Sequence, residues 1–296
     1  MIRNNRTSRL FNLVLGCVLA MAATACNNSD NGQGTVTFTT WGESFIEDGL
    51  PSSAFLDTWS VKYSKFLLVY NHVTVADENG DVVAKLPHPL VFDMTRKAQG
   101  KPKTLASFEL EAKEWPNVSY QVGPITTDAK AGELATADDV SLLQTDDASV
   151  HVEGTATSPS GAKKTFNWNF SPATLFQGCH GMQDGKEVEG VLITSGGTQE
   201  VELTVHGDHL FYDDLQSEES GPRFQAYADA DANNDGEVTL EEMDQVPLYT
   251  IPIAKGPYGT GALGNVNTLG DYVRTLARTI GHYRGEGSCN SKEVAK

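Results

Sequence analysis

The chain has 296 residues, with 39 Asp and Glu against 22 Lys and Arg and a formal charge of −17. This balance argues against a nucleic-acid partner, since binding one depends on neutralising phosphates, and suits a solvated protein that meets cations. The length allows a proper core, as one large or two small domains.

Arg3, Arg6 and Arg9 precede an apolar run from Leu10 to Ala23 and small residues before Cys26. This is an export signal, too short for a membrane span. Ala23-Thr24-Ala25-Cys26 resembles the lipobox of bacterial lipoproteins, which implies a lipid on Cys26 as the first mature residue. Ordinary cleavage near Cys26 is the alternative, and Cys17 has too short an apolar run before it. Asn27 after the cysteine implies the outer membrane of a Gram-negative cell envelope, the protein otherwise being periplasmic or secreted. Residues 27–34 read as a polar tether. The leader carries three Arg and no acid, so the charge without it is −20.

From Thr35 the chain reads as strands. Thr35 to Thr39 and Trp59 to Tyr63 alternate, Phe66 to Tyr70 is an apolar run, and Val73-Thr74-Val75 and Val82-Val83 flank the hairpin signal Asn79-Gly80. Leu90 to Met94, Leu105 to Leu110 and Ser119 to Val122 continue the pattern. This block is broadly similar to immunoglobulin-like or transthyretin-like sandwich modules of secreted bacterial proteins. A short helix is expected over Thr136 to Gln144. Two hairpins should follow, Val150–Thr157 with Lys164–Phe170 and Gly190–Thr194 with Gln199–Val205. Trp41, Trp59, Trp115 and Trp168 are expected in the core, a sugar-stacking surface being the alternative.

Asp231 to Glu242 reads DANNDGEVTLEE. Asp231, Asn233 and Asp235 stand at loop positions 1, 3 and 5, Gly236 at 6, Glu237 at 7, Thr239 at 9 and Glu242 at 12, a spacing that rings a hard cation with oxygens. Phe224, Tyr227 and Ala228 precede the loop at helical spacing, and Leu240, Met243 and Val246 follow it. The stretch 218–247 resembles the EF-hand family, which implies calcium as the cofactor. No second loop is present, and a lone hand reads as a structural clamp rather than a sensor. Gly256 to Gly264 lacks a phosphate-loop ending and reads as a connector. Leu269, Val273, Leu276 and Ile280 then make an amphipathic helix capped near Asn267 or Thr268 and stopped by Gly281.

In an exported compartment Cys179 and Cys289 are expected to form a disulfide enclosing the hand. It would bring His180 and His282 into one neighbourhood, near His206 and His209. The plain reading of these four histidines is hydrogen bonding around the loops. The alternative is a zinc or copper site, with His206-x-x-His209 usable if the Gly207 turn aims both rings the same way. No nucleophile elbow, metalloprotease helix or dinucleotide motif is present. A calcium-dependent hydrolase on polysaccharide is a third reading, and no catalytic residue is assigned.

The sequence thus predicts a mainly β, sandwich-like fold with an inserted EF-hand and a C-terminal helix. Its segments are a leader at 1–25, a tether at 26–34, β-rich parts at 35–127 and 128–217, the hand at 218–247 and a tail at 248–296. The expected function is a calcium-binding envelope lipoprotein with a protein or glycan partner.

Overall fold

The computed structural model describes residues 32–217 and 219–295. The leader, Cys26 and the first part of the tether lie outside the described residues. Residues from Asn31 onward form one compact unit.

β1 (Gln33–Trp41) begins inside the segment read as a tether and buries Val36 and Phe38 on one face. After α1 (Glu43–Glu47) comes a difference from the sequence reading. The segments at 59–63, 66–70 and 73–75 form one strand of 17 residues, β2 (Ser60–Ala76). Its register shifts at Tyr63/Lys65 and Tyr70/His72 are bulges that bend one strand so its halves serve different neighbours. The phase of the alternation changes at each bulge, which in sequence looks like three strands.

Next come β3 (Val82–Lys85), β4 (Leu90–Asp93), β5 (Lys103–Glu111), β6 (Glu114–Trp115), β7 (Asn117–Val122) and β8 (Lys130–Ala131). Helix α2 (Ala137–Asp146) is capped by Thr136 with Asp139 in a capping box. β9 (Val150–Thr157), β10 (Lys163–Phe170), β11 (Thr174–Gln183), β12 (Lys186–Glu189), β13 (Val191–Leu192) and β14 (Thr198–Val205) lead to a 3-10 turn at Gly207–Phe211. The stretch expected to form a hand contributes α3 (Gln225–Ala230), β15 (Glu237–Val238) and α4 (Leu240–Met243); α5 (Leu269–Leu276), β16 (Gly281–Tyr283) and β17 (Ser288–Glu293) follow. The C-terminal helix starts at the expected cap, Thr268, but ends before Ile280.

A four-stranded sheet runs β16-β14-β1-β5, and a larger one runs β12-β11-β7-β2-β9-β10-β15 with β17, β3, β4 and β8 on its borders. Side chains of both, such as Phe38 and Leu203 from one and Phe66, Tyr70 and Trp168 from the other, form one buried cluster, the packing of a sandwich. A buried hydrogen-bond set crosses between them, in which Tyr70 Oη and Thr40 Oγ1 lie 2.8 Å apart beside the Leu203 carbonyl. Strands from 35–127 and from 128–217 share both sheets. On the outer face, Val140 and Leu143 of α2 cover Leu67, Val69 and Val91.

The hairpin of β9 with β10 forms as expected, and so does the Asn79-Gly80 turn, with Gly80 at φ 86°. The second expected hairpin does not form. β13 pairs with Trp115 and Glu114 of β6 in a separate two-stranded sheet, and β14 joins the four-stranded sheet, running parallel to β1. There Val201, Leu203 and Val205 are buried, a burial that a free-standing hairpin would not provide. Gly190, at φ 62°, carries the chain from β12 into β13, where a Cβ would meet the Trp115 carbonyl oxygen at 2.1 Å. Trp59, Trp115 and Trp168 are buried as expected, whereas Trp41 is only half-buried.

Cys179 of β11 and Cys289 of β17 form the disulfide. It fastens the border strand β17 to the large sheet.

Candidate metal centre

Two sets of ligand-bearing side chains stand out, one at the end of β14 and one in the loop of the hand.

At the first, β14 ends at Val205 and the chain turns at Gly207. That glycine is required by space: a Cβ would sit 2.6 Å from Ile46 Cγ1, and its carbonyl accepts a hydrogen bond of 2.6 Å from Tyr63 Oη. The 3-10 turn that follows brings residues three apart onto one side, so His206 and His209 face each other with ring centroids 5.3 Å apart. On a continued strand the pair could not meet in this way. β16 pairs antiparallel with β14, placing His282 opposite Thr204. Its ring lies 4.4 Å from that of His206 and 5.0 Å from that of His209.

Asp208 joins them. One ligand atom from each of His206, Asp208 and His209 lies within 4.8 Å of the others. The Nδ1 of His209 faces the Thr279 carbonyl at 2.8 Å; a carbonyl only accepts, so Nδ1 carries the proton and Nε2 keeps its lone pair. His206 Nε2 and Asp208 Oδ1 are buried without a hydrogen-bond partner, the condition expected of groups whose partner is an ion. The other oxygen of Asp208 accepts from Tyr212 Oη at 2.9 Å. A cavity of about 240 Å³ opens beside His209 and Tyr212.

The electrostatics favour the neutral forms of His209 and His282. Burial lowers the pKa of His209, opposed by the Asp208 carboxylate. Burial, with His206 and His209 adding to it, lowers His282 to about 4. Glu43 opens α1 in a left-handed backbone conformation, φ 50°, a strain that non-glycine residues adopt at a cost of about 1–3 kcal/mol and that clusters at functional sites. Burial raises its pKa, opposed by His206 and reinforced by Glu202, Glu286 and Asp208. Trp41 Nε1 donates to Glu202 Oε1 at 2.6 Å. Neutral rings at His209 and His282 near the Asp208 carboxylate are donor types that suit a divalent transition ion.

A pH dependence follows. His282 takes its proton near pH 6.5 when unfolded and near 4 when folded, so the stability due to the neutral ring is complete above about 6.5 and is lost as pH falls through that window. Allowing for partial exposure, about 2 kcal/mol is at stake, or roughly 4–8 °C of melting temperature. Melting curves of metal-free protein at pH 7 and 4.5 should show this drop, and His282→Gln should reduce it.

His180 does not join the cluster. It stands on β11, exposed, with Glu187 Oε1 and Ser288 Oγ each 2.9 Å from one ring nitrogen. The disulfide holds β17 beside it and leaves His206 just past β14, His209 in the 3-10 turn and His282 on β16. Sequence reading missed Glu43, Glu202 and Glu286, which come from separate segments and carry no local signal.

In the hand, Gly236 at φ 90° and Asn234 at φ 59° make the turn. The Gly236 amide donates to Asp231 Oδ2 at 3.0 Å. The Asp235 amide donates to Asn233 Oδ1, and the Glu237 amide to Asp235 Oδ1, both at 2.8 Å. Thr239 caps α4, with Glu242 Oε2 reaching back to its amide at 3.1 Å. Asp231 Oδ1 and Glu242 Oε1, at positions 1 and 12, are buried without partners. The Asp231 carboxyl is held below the usual range, chiefly by Lys164. The loop is braced by the large sheet. β15 pairs with Thr165 and Phe166 of β10, and Trp168 Nε1 donates to the Val238 carbonyl at 2.7 Å. The helices around the loop are short, α3 six residues and α4 four.

No protein-family model and no curated protein matches the chain. Among solved structures, MbnP from Methylosinus trichosporium aligns over 58 % of this chain and 75 % of its own, with 13 % identity and a TM-score of 0.29.

Proposed function

We propose that this is an exported protein that binds a transition metal, zinc or copper, through His206, His209 and His282 with Asp208. The observation that carries this is the grouping of His206, Asp208 and His209, with His206 Nε2 and Asp208 Oδ1 left unpartnered and the His282 ring packed against both imidazoles. The rings of His209 and His282, whose pKa burial lowers, need lose no proton to bind an ion at pH 7. Export agrees with the disulfide, which persists outside a reducing cytoplasm. The test is metal analysis after loading with one equivalent of Zn²⁺ or Cu²⁺ and dialysis. Retention of about one ion per chain supports the reading, and protein that keeps none removes it.

A second metal is favoured by the unpartnered Asp231 Oδ1 and Glu242 Oε1. In this reading calcium binds at Asp231, Asn233, Asp235, Glu237, Thr239 and Glu242 and clamps α3 and α4 against the large sheet. An exported site of this kind works at a Kd of ~0.1–1 mM. At calcium about ten times Kd the linkage stabilises by ~1.4 kcal/mol, roughly 3–5 °C. Melting curves in calcium and in chelator should differ by this amount for the native protein and coincide for Glu242→Gln. Coincident curves for the native protein, with no calcium taken up on direct titration, would reduce the loop to a turn.

A further inference from the structure

We propose that Lys164 is a tethered counter-ion of the calcium loop, one that weakens calcium binding and keeps the loop in shape when the ion is away; this rests on the calcium reading above.

Lys164 belongs to β10, next to the Thr165 that pairs with Glu237 of β15. Its Nζ forms an ion pair with Asp231 Oδ2, the same oxygen that accepts the Gly236 amide. The carboxylate is thereby divided. Oδ2 is committed to the protein through an ammonium and an amide, and Oδ1 is buried with no partner, the oxygen left for an ion. Lys164 therefore need not leave when calcium arrives. It acts through its charge.

The Asp231 side chain is inaccessible and that of Lys164 only 20 % exposed, so solvent and salt screen this pair less than a surface pair. Of the loop's five carboxylates, Asp231, Asp235 and Glu242 bring three negative charges to the side-chain ligand positions, and Lys164 offsets one of them. Fewer net charges mean weaker calcium binding in loops of this design. The same offset lowers the repulsion among the carboxylates when no cation is bound. With the ladder from β10 it lets the loop keep its form and α3 and α4 their places. The result is a site tuned to plentiful calcium that does not unfold in its absence.

The test is calorimetric titration of calcium chloride into the full chain, with melting curves in chelator, for the native protein, Lys164→Met, Lys164→Arg and Glu242→Gln. Lys164→Met should bind calcium about ten-fold more tightly, the order expected for removing a unit charge near a divalent ion in a screened setting. It should also melt lower in chelator, and Lys164→Arg should match the native protein in both. If the native protein binds, Glu242→Gln does not, and Lys164→Met binds no more tightly than the native protein, the role of Lys164 is overturned while the calcium site stands. An unchanged melt of Lys164→Met in chelator overturns the shape-holding part. If the native protein and Glu242→Gln alike take up no calcium, the calcium site fails and this proposal with it.

Discussion

Replacing His209 with Ala should lower the affinity for Zn²⁺ or Cu²⁺ by about a hundred-fold or more, read by competition with a chromophoric chelator. Loss of one imidazole removes a direct ligand, and even groups one shell further out typically change metal affinity by about 10- to 100-fold. His209 is the ring with the clearest preparation. Its Nδ1 proton is committed to the Thr279 carbonyl, and its neighbour Leu210 is fixed by a hydrogen bond from Tyr227 Oη to the Leu210 carbonyl, 3.1 Å. Helix α3 thus helps to set the ring, and the Thr279 carbonyl after α5 accepts its Nδ1 hydrogen bond. His206→Ala should have a comparable effect. Asp208→Asn should cost about ten-fold, because it removes the charge and keeps the shape. His180→Ala is the control: its ring is engaged by Glu187 and Ser288, and affinity should stay unchanged. Equal losses at His180 and His209 would mean that the metal is held elsewhere. An unchanged affinity in His209→Ala would end the assignment.

Removing the disulfide should have the largest effect on stability. Cys179 and Cys289 are 110 residues apart in sequence. Closing a loop of that length constrains the unfolded chain by ~4–5 kcal/mol in the chain-entropy treatment, roughly 10–15 °C for a protein of this size. The bridge also holds β17, whose side chains are mostly exposed, to β11. Without it the border strand keeps its ladder but little burial. Melting of Cys289→Ala, and of native protein with and without reductant, measures the effect. Cys179 is inaccessible, so Cys179→Ala should cost more than Cys289→Ala through the space it leaves. A melting temperature unchanged by reductant would show that the enclosed segment, hand included, is already held by packing.

The features legible in the sequence are those made by short spacings. The loop from Asp231 to Glu242 is one, since its geometry is set by alternate side chains and one glycine within twelve residues. The caps at Thr136 and Thr268, the Asn79-Gly80 turn and the hairpin of β9 with β10 are others. The disulfide pairing was also within reach, because only Cys179 and Cys289 remain once the leader and Cys26 are set aside. Tertiary structure alone decided the rest. The joining of three apparent strands into β2 depends on two bulges, and the departure of β14 from its expected hairpin depends on a place beside β1 that local alternation cannot reveal. The convergence of His206, His209 and His282 needed both the backbone turn at Gly207 and the pairing of β16 with β14. The sheet strand that braces the loop lies some seventy residues before it, at Thr165 and Phe166. Local spacing determines which atoms a segment can offer; which segments meet is decided by burial of apolar faces across the whole chain, a sum over distant residues that no window contains.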